Sequence, residues 1–365
     1  MSLPFPKFPS MVQLEVLKQL ELQEVFLLSL CSEKMKRAVQ CLNMKPANLM
    51  YFFLENRVEV FAGYDNNPID HHVANLKFFS HALHTLGVDI IIVLESLQRH
   101  MRDLFRFKPR VQLELASPHF INMYRLIDDV ADTSFDVDEL DTEELENHLT
   151  IFPVQDSVHL KAKLTGPLLT SDSKLCSIKG LGFQRTRDDG VIDPFILNET
   201  HQNPRLHFSE VINNFGGEYL VLVGIVYNIN DWAQLIRRWK SKQAYQNLKF
   251  IATTAPTGIA IMFEHAMQQF DFVEWDGQRR PGTVTLDPKI INLLSNSFEN
   301  IDCSKWVDIQ QDGDGKWASI MLSETSIRFL LSMCHYVVCL GDTDIKGAYD
   351  AADLWVSQRQ RLANL

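Results

Sequence analysis

Apolar residues in the first 45 positions recur at the spacing of α-helices and predict three short helices. The first is expected to begin at Pro9 or Ser10, because proline and serine are both favoured at helix starts. The second begins near Leu22, and Ser32 is expected to cap the third. Pro46 follows the end of the third helix. The apolar positions of the three helices are Met11, Val12, Leu14, Val16, Leu17, Leu20, Val25, Phe26, Leu28, Leu30, Met35, Ala38, Val39 and Leu42.

These helices carry more apolar surface than three short segments can bury among themselves. Two interpretations follow from this surplus. The helices pack on the rest of the chain, which is the common fate of amphipathic helices. Alternatively, they form a small module that another protein covers. Periodicity alone favours the first interpretation.

Beyond the third helix, the pattern changes to shorter segments of strand and helix. Residues 48–68 predict a β-hairpin that ends in an Asn- and Pro-containing turn. Residues 71–106 predict mainly helix, in two pieces broken near Gly87. Residues 110–115 and 158–164 alternate as strands do, and a helix with a Ser- and Pro-containing start follows the first of them.

The second half of the chain repeats a strand–turn–helix unit. A strand starts near Leu220, a helix with the apolar stripe Leu235, Ile236 and Trp239 follows, and the next strand starts at Leu248, 28 residues on. A repeat of about 20–30 residues with one strand and one helix is typical of a leucine-rich-repeat-like solenoid. The units are irregular, so a doubly wound or ordinary mixed domain also fits. The predicted fold class is α/β, with an irregular, leucine-rich-repeat-like strand–helix domain after the three helices.

The negative charge of the chain is concentrated in one segment. Of the net charge of −11, residues 128–147 supply −10 through ten carboxylates, with no Lys or Arg among them. The rest of the chain is close to neutral, which argues against nucleic acid or an anionic membrane as the main partner. The segment is expected to be a solvated loop and the start of a helix. A contact surface for a basic target is the alternative, and Leu140, Leu145 and Leu149 could still form one face of a short helix.

Six cysteines in 365 residues do not make a disulfide scaffold. Cys31 and Cys41 fall in the helical region and are expected to be buried, reduced thiols. No signal peptide is evident, and the longest apolar stretches, residues 88–94 and 219–227, are too short to span a membrane. We expect a soluble protein of the cytoplasm, the nucleus or both.

The sequence DIQQDGDGKWAS partly resembles a calcium loop, because Asp308 and Asp312 stand at its positions 1 and 5. Gln310 and Ser319 stand where ligands belong and do not fit that motif. The Asp-Gly pairs favour a β-turn between two strands instead. No calcium site is predicted here.

Other candidate chemical groups lack the spacing that their chemistry requires. His71 and His72 are adjacent, so they would project in different directions from a helix. Cys334, His335 and Cys339 have no second pair at zinc-finger spacing. The sequence has no GxSxG, P-loop or Rossmann pattern in its required context. We therefore predict no catalytic residue, no metal site and no cofactor.

The order of residues in the opening resembles the F-box of nematode F-box proteins. An aromatic residue precedes proline in Phe8-Pro9, a hydrophobic helix follows, and then comes the acidic–apolar pair Glu24-Val25. Leu28-Ser29 and Cys31-Ser32 precede a basic third helix. The match covers about residues 5–45, and its specificity lies in the order and spacing of these landmarks. In that family the module binds the Skp-type linker subunit of a cullin–RING ubiquitin ligase.

This resemblance implies a set of linker-facing residues. Carried over position by position, they are Phe8, Pro9, Val12, Val16, Leu17, Leu20, Val25, Leu28 and Met35. Pro9, Val16 and Leu20 are the expected anchors, because a few apolar side chains supply most of the energy of a typical interface.

A second resemblance lies in residues 219–253, which are similar to the central block of the nematode F-box-associated domain, type 2. That block has a strand, a helix that starts here at Asn230-Asp231-Trp232 and ends at Trp239, and a second strand. The closing pattern of the family has a counterpart in residues 307–322, although the usual arginine after Asp-Ile is missing. Residues 341–365 lie beyond the pattern.

The two resemblances together imply an F-box at residues 1–45, a substrate-recognition domain at 46–340, and a C-terminal extension, expected to be helical, at 341–365. They imply a non-catalytic substrate receptor of an SCF ubiquitin ligase. Its partners would be the Skp-type linker, through it the cullin–RING ligase, and a protein target. A non-degradative interaction scaffold of the same fold is the first alternative. An enzyme with an unrecognised site in the α/β domain is the second.

Overall fold

Apolar strand segments and amphipathic helices alternate along the chain, and in the computed structural model they form a mixed α/β structure, as predicted. The chain divides into two compact units, Met1–Val137 and Asp138–Leu365. The structure describes residues 5–55, 57–63, 71–77, 83–106, 108–117, 127–167, 169–184, 211–223, 229–254, 269–277, 281–285, 300–313, 316–322 and 326–332.

The first unit opens with the three predicted helices. They are α1 (Ser10–Leu17), α2 (Leu22–Cys31) and α3 (Glu33–Gln40), and a 3-10 turn, η1 (Phe5–Lys7), precedes them. Glu21 and Glu24 form a reciprocal capping box at the start of α2. Ser32 caps α3 by accepting a hydrogen bond from the backbone N–H of Met35, as expected. Local capping chemistry therefore explains where α2 and α3 begin, whereas α1 follows Pro9 without a side-chain cap.

Five strands of the first unit form a mixed sheet in the order β5-β4-β1-β2-β3. They are β1 (Asn48–Leu54), β2 (Arg57–Gly63), β3 (His71–Lys77), β4 (Arg110–Leu115) and β5 (Val130–Phe135). The predicted hairpin of β1 and β2 is confirmed, with Asn48 opposite Gly63. Strand β4 pairs in parallel with both β1 and β5, and β3 pairs antiparallel with β2.

The prediction of helix from residue 71 onward is wrong at its start. Residues His71–Lys77 form β3 because they continue the hydrogen-bonding edge of β2, a tertiary pairing that periodicity does not report. Helix α4 (Leu83–Phe105) then runs without the break expected near Gly87. One glycine inside a helix costs only about 1 kcal/mol, and a 23-residue helix outweighs that cost by packing.

Helix α4 holds the start of β5. The Gln98 side chain donates to the carbonyl of Asp128 at 3.0 Å and accepts from its N–H at 3.3 Å. Arg102 donates to the carboxylate of Asp129 at 2.9 Å. The Arg102 charge also acts on the buried hydroxyl of Tyr51 in β1, whose pKa burial raises despite that charge. The helix therefore connects two separate parts of the first sheet.

The second unit contains an eight-stranded sheet in the order β12-β15-β16-β17-β11-β10-β9-β7, and two small sheets, β6–β8 and β13–β14. Strands β7, β9, β10 and β11 are parallel to one another, and the pairings from β11 through β17, β16 and β15 to β12 are antiparallel. The strands are β6 (Glu139–Asp141), β7 (Ser157–Leu160), β8 (Lys163–Thr165), β9 (Gly180–Gln184), β10 (Tyr219–Val223), β11 (Phe250–Thr254), β12 (Val273–Glu274), β13 (Thr283–Thr285), β14 (Asn300–Asp302), β15 (Val307–Gln310), β16 (Trp317–Leu322) and β17 (Ser326–Ser332).

The helical elements of the second unit that the structure describes from end to end are α5 (Thr142–Ile151), η2 (Lys174–Ser177) and α6 (Ile229–Lys240), and residues 211–213 are also helical. The predicted unit of strand, helix and strand is confirmed as β10, α6 and the parallel β11. Its predicted stripe is buried, with Leu235, Ile236 and Trp239 at 5%, 1% and 1% exposure. The strand predicted at 158–164 is instead two strands, β7 and β8, which pair with different neighbours.

The predicted boundary after residue 45 lies inside the first unit, where α2 contacts β3 and α3 contacts α4. Most of the helix predicted after β4 lies outside the described residues. Cys334, Cys339 and the whole extension at 341–365 also lie outside the described residues.

Gly217 is a position where the second unit leaves no room for a side chain. A Cβ there would lie 2.1 Å from the carbonyl oxygen of Ile178 and 2.8 Å from that of Lys179. Because both are backbone atoms, we expect Gly217→Ala to lower the free energy of unfolding by about 2 kcal/mol or more in urea denaturation. Gly216→Ala is the control, since its Cβ would lie 3.4 Å from the carbonyl of Cys176. Equal losses in the two variants would contradict this account.

Candidate partner-binding surface

The N-terminal helices carry apolar side chains on their surface. Val12 and Val16 are 44% and 42% exposed, and they share a face of α1 because they are four residues apart. Pro9, just before α1, is also exposed. Three more residues of the predicted linker-facing set are half-buried, namely Phe8, Leu20 and Leu28. Six of the nine predicted residues thus retain surface that a partner could cover.

The other three predicted residues are buried. Leu17, Val25 and Met35 are 1%, 0% and 7% exposed, so they belong to the apolar core of the first unit. Their burial in the chain's own core leaves them no surface to offer a partner in this conformation. All nine predicted residues are apolar. The resemblance alone therefore could not distinguish the three buried residues from the six that keep exposed surface.

Three exposed apolar residues were missed at the sequence level. Met11 in α1 is 70% exposed, and Leu27 and Leu30 in α2 are 52% and 55% exposed. A signal for the last two was present in the sequence, because apolar residues surround α2 on nearly all sides. Such a helix is usually covered on more than one side.

Exposed apolar residues are concentrated in this part of the chain. Among the described residues, nine large hydrophobic side chains are exposed, and five of them lie in α1 and α2. These five, called here the exposed apolar set, are Met11, Val12, Val16, Leu27 and Leu30. Single exposed apolar residues are normal, whereas a contiguous apolar patch is typical of an interaction surface. Because five such residues lie on α1 and α2, these helices are the candidate for a partner-binding surface.

The opposite side of α2 packs on α4. The rings of Phe26 and His100 meet edge to face, with 5.8 Å between their centroids. The hydroxyl of Ser29 lies 2.8 Å from Nε2 of His100. Burial, and secondarily the charge of Lys36, lower the pKa of His100, so its imidazole is neutral near pH 7.

Helix α3 meets α4 through polar contacts. The Lys36 ammonium pairs with the carboxylate of Asp103, and this hydrogen bond lowers the pKa of Asp103. The Gln40 side chain donates to the backbone carbonyl of Asp103 at 2.9 Å and accepts from Arg106 at 3.1 Å. These contacts use the inner side of the helices and none of the exposed apolar set.

The acidic segment 128–147 contains two strands and the start of a helix, so the prediction of a helix start is confirmed and that of a solvated loop is wrong. It forms β5, β6 and the first part of α5. The short helix predicted here is confirmed in part. Leu145 and Leu149 are buried on α5, whereas Leu140 is buried in strand β6, before the helix begins. An ordered segment with this many carboxylates requires basic partners or hydrogen-bond donors close to them.

In the first unit, basic residues from other elements supply that compensation. Asp132 in β5 pairs with the guanidinium of Arg110 in β4. Asp129 pairs with Arg102 at 2.9 Å and with Lys108 at 2.7 Å. Hydrogen-bonded pairs of opposite charge remove the repulsion that would otherwise keep such a segment extended.

In the second unit, the carboxylates serve local structure. Asp141 caps α5 by accepting a hydrogen bond from the backbone N–H two residues ahead. Glu139 pairs with Lys163 across β6 and β8. Glu146 accepts a hydrogen bond from Ser173, the residue that caps η2. Glu146 also lies 3.7 Å from the ammonium of Lys174. These three carboxylates therefore either pair with a lysine or cap a helix.

Other buried charges of the first sheet are paired as well. Glu59, which is 4% exposed, accepts a hydrogen bond from Arg57 at 2.6 Å. Like the pair of Arg110 and Asp132, it is neutralised by its neighbour. Such pairs are usual in structural networks.

The calcium-like stretch forms part of a strand pair, because β15 and β16 are antiparallel neighbours. Asp308 is 1% exposed and accepts a hydrogen bond at 2.7 Å from the hydroxyl of Ser319, which faces it across the pair. Within the described residues, no group of three or more His, Cys, Asp and Glu side chains could hold a metal ion.

The expectation of buried thiols at Cys31 and Cys41 is wrong. Both are exposed free thiols, because they lie at the C-terminal ends of α2 and α3, outside the packed faces. Cys176 is a buried free thiol. Cys303 is disulfide-bonded, and its partner lies outside the described residues.

His148 is a buried titratable group in α5. It is 0% exposed, and its ring packs on Phe152 with 5.1 Å between centroids. Burial lowers its pKa to about 3, and a hydrogen bond with Gln155 opposes that shift only in part. The side chain is therefore a neutral core residue.

None of the helices in the described part of the chain combines the length and hydropathy that crossing a membrane requires. No protein-family model, no curated protein and no solved structure matches this chain. Any functional interpretation rests on the residues and surfaces described above.

Acidification should destabilise the second unit through His148. Its pKa is about 3 when folded and 6.5 in the reference state, so the unfolded chain binds a proton first as the pH falls. Stability present above pH 6.5 is then lost progressively toward pH 3, by about 2 kcal/mol at pH 5. We expect His148→Gln to lose correspondingly less stability between pH 7 and pH 5 in urea denaturation. The same loss in both proteins would refute this assignment.

Proposed function

We propose that this protein is a substrate-receptor subunit of an SCF (Skp–cullin–F-box) E3 ubiquitin ligase and acts as a non-catalytic adaptor. Helices α1–α3 form its F-box and bind the Skp-type linker. The part that follows is an F-box-associated domain with leucine-rich-repeat-like units, and it binds a protein target. The observation that carries this proposal is the exposed apolar set on α1 and α2.

Two features of the helices support a partner at this place. Their inner side is committed to the chain through contacts with α4 and β3. Their outer side keeps large apolar residues in water, and Leu17 is the sole buried residue of α1. Covering such residues is favourable by about 25 cal/mol for each Å² removed from water. The order of residues in this segment, which resembles an F-box, identifies the kind of partner.

The proposed mechanism is proximity. A receptor that holds the linker at one place and a target at another raises the effective concentration of target lysines near the conjugating enzyme. No bond chemistry by the receptor is required.

Two other functions make different predictions. A non-degradative scaffold would bind the linker, yet removing it from cells would leave the abundance of its target unchanged. An enzyme would require a concave pocket with convergent titratable groups. The scaffold accounts for the exposed apolar set as well as the receptor does, and only the abundance of the target separates the two. An enzyme alone gives no reason for the exposed apolar set.

Replacing Val12 and Val16 together by Glu should abolish binding of a purified Skp-type linker. Both side chains are exposed, so the change places charge in the interface without disturbing the core. We expect at least a tenfold loss of affinity in titration calorimetry with the full-length chain, since such anchors contribute about 2 kcal/mol or more.

The control is Val93→Glu, which alters a valine of 44% exposure on α4, outside the three helices. It should bind the linker as the unmodified chain does. If Val93→Glu weakened binding equally, the loss of affinity in the Val12 and Val16 variant would not be specific to α1. If the unmodified chain fails to bind, the proposed function is wrong.

A further inference from the structure

The chain enters α1 through a short, hydrogen-bonded turn. Residues Phe5–Pro9, called here the entry segment, begin with η1. The backbone N–H of Phe8 donates to the carbonyl of Phe5 at 3.1 Å, and the rings of these two residues meet edge to face with 6.2 Å between their centroids. Pro9 follows with φ −55° and ψ 143°, outside the helical region. The entry segment therefore has a defined conformation of its own before α1 begins.

Gln13 connects this segment to the helix. Its side-chain amide donates to the backbone carbonyl of Phe8 at 2.7 Å, in a partly buried position. Pro9, the residue at the N-cap, makes no side-chain hydrogen bond to α1, because its ring has neither a donor nor an acceptor. The hydrogen bond of Gln13 therefore supplies a side-chain connection that the cap itself lacks.

Gln13 stands at a position where many helices carry an apolar residue. In a hydrophobic staple, the residue before the N-cap packs on the fourth residue of the helix and fixes the angle at which the chain enters. Those two residues are here Phe8 and Gln13. Because Gln13 is polar, it holds the carbonyl of Phe8 and not the ring. Phe8 stays half-buried, and its side chain keeps surface that a partner could cover.

We propose that Gln13 is the positioning residue for Phe8, a member of the predicted linker-facing set. Its hydrogen bond holds the entry segment in one conformation before the partner arrives, so less conformational entropy is lost on binding. Gln13 acts through Phe8 and not by touching the partner. This inference rests on the proposed function, because the partner in question is the Skp-type linker.

The test is a double-mutant cycle on Gln13 and Phe8 in the full-length chain. Gln13→Glu removes the donor and keeps the shape of the side chain, since a carboxylate only accepts hydrogen bonds. Gln and Glu have nearly the same helix propensity, so α1 itself is not weakened. Phe8→Ala removes the ring that Gln13 positions, and the double variant completes the cycle. The matched control is Gln234→Glu, which makes the same change at an exposed residue of α6 in the second unit.

Affinity for the purified linker is measured by titration calorimetry, and urea denaturation checks that each variant is folded. We expect Gln13→Glu to weaken binding by about three- to tenfold, as the loss of one hydrogen bond predicts, with a less favourable entropy of binding. In the Phe8→Ala background, the same change should weaken binding by less than about twofold, because the ring that it positions is gone. Gln234→Glu should bind as the unmodified chain does.

Undiminished binding by Gln13→Glu or by Phe8→Ala would overturn the positioning role. A full additional loss in the double variant would do the same, since Gln13 would then act on the linker directly or through its charge. Equal weakening by Gln234→Glu would also overturn it. In each of these cases the unmodified chain still binds the linker, so only the role of Gln13 is lost. If the unmodified chain does not bind, the proposed function is wrong and the role of Gln13 is wrong with it.

Discussion

Helix α4 is the element on which the first unit depends, because it binds two parts of the chain that are far apart in sequence. Its Gln98 and Arg102 hold the turn before β5. Its His100 and Asp103 hold α2 and α3. Between these polar groups, α4 also carries the buried apolar residues Met101 and Leu104. A helix that makes both kinds of contact has little freedom to move, so it determines where the N-terminal helices lie.

That attachment divides the apolar residues of α1–α3 into two groups. Val25 and Met35 are buried in the core, whereas Val12, Val16 and Leu30 are exposed. The exposed group is the basis for proposing a linker-binding module, and the attached side explains why the same helices belong to the first unit. Packing of these helices on the rest of the chain is therefore shown, and their exposed side is the surface that the proposed partner would cover, because different sides of a helix can meet different neighbours.

The acidic segment illustrates how a fold accommodates dense charge. Its carboxylates meet cations that are distant in sequence, as Asp132 meets Arg110, or cap a helix, as Asp141 does. Helix α5 carries acidic residues in its first turn and at the same time buries the apolar side chains of Leu145 and Leu149. His148 is held neutral in that apolar environment. Net charge alone therefore says little about whether a segment is solvated, since pairing depends on what the fold brings near it.

The sequence by itself determined the features that depend on neighbouring residues. It predicted the three N-terminal helices with the Ser32 cap, the β1–β2 hairpin, and the buried stripe of α6, because caps, turns and periodicity act over a few residues. Only the tertiary structure decided that His71–Lys77 is a strand, that residues 128–147 are ordered, and which apolar residues of α1 and α2 stay exposed. Each of these depends on an edge, a cation or a helix supplied by distant parts of the chain, and local patterns carry no record of such partners.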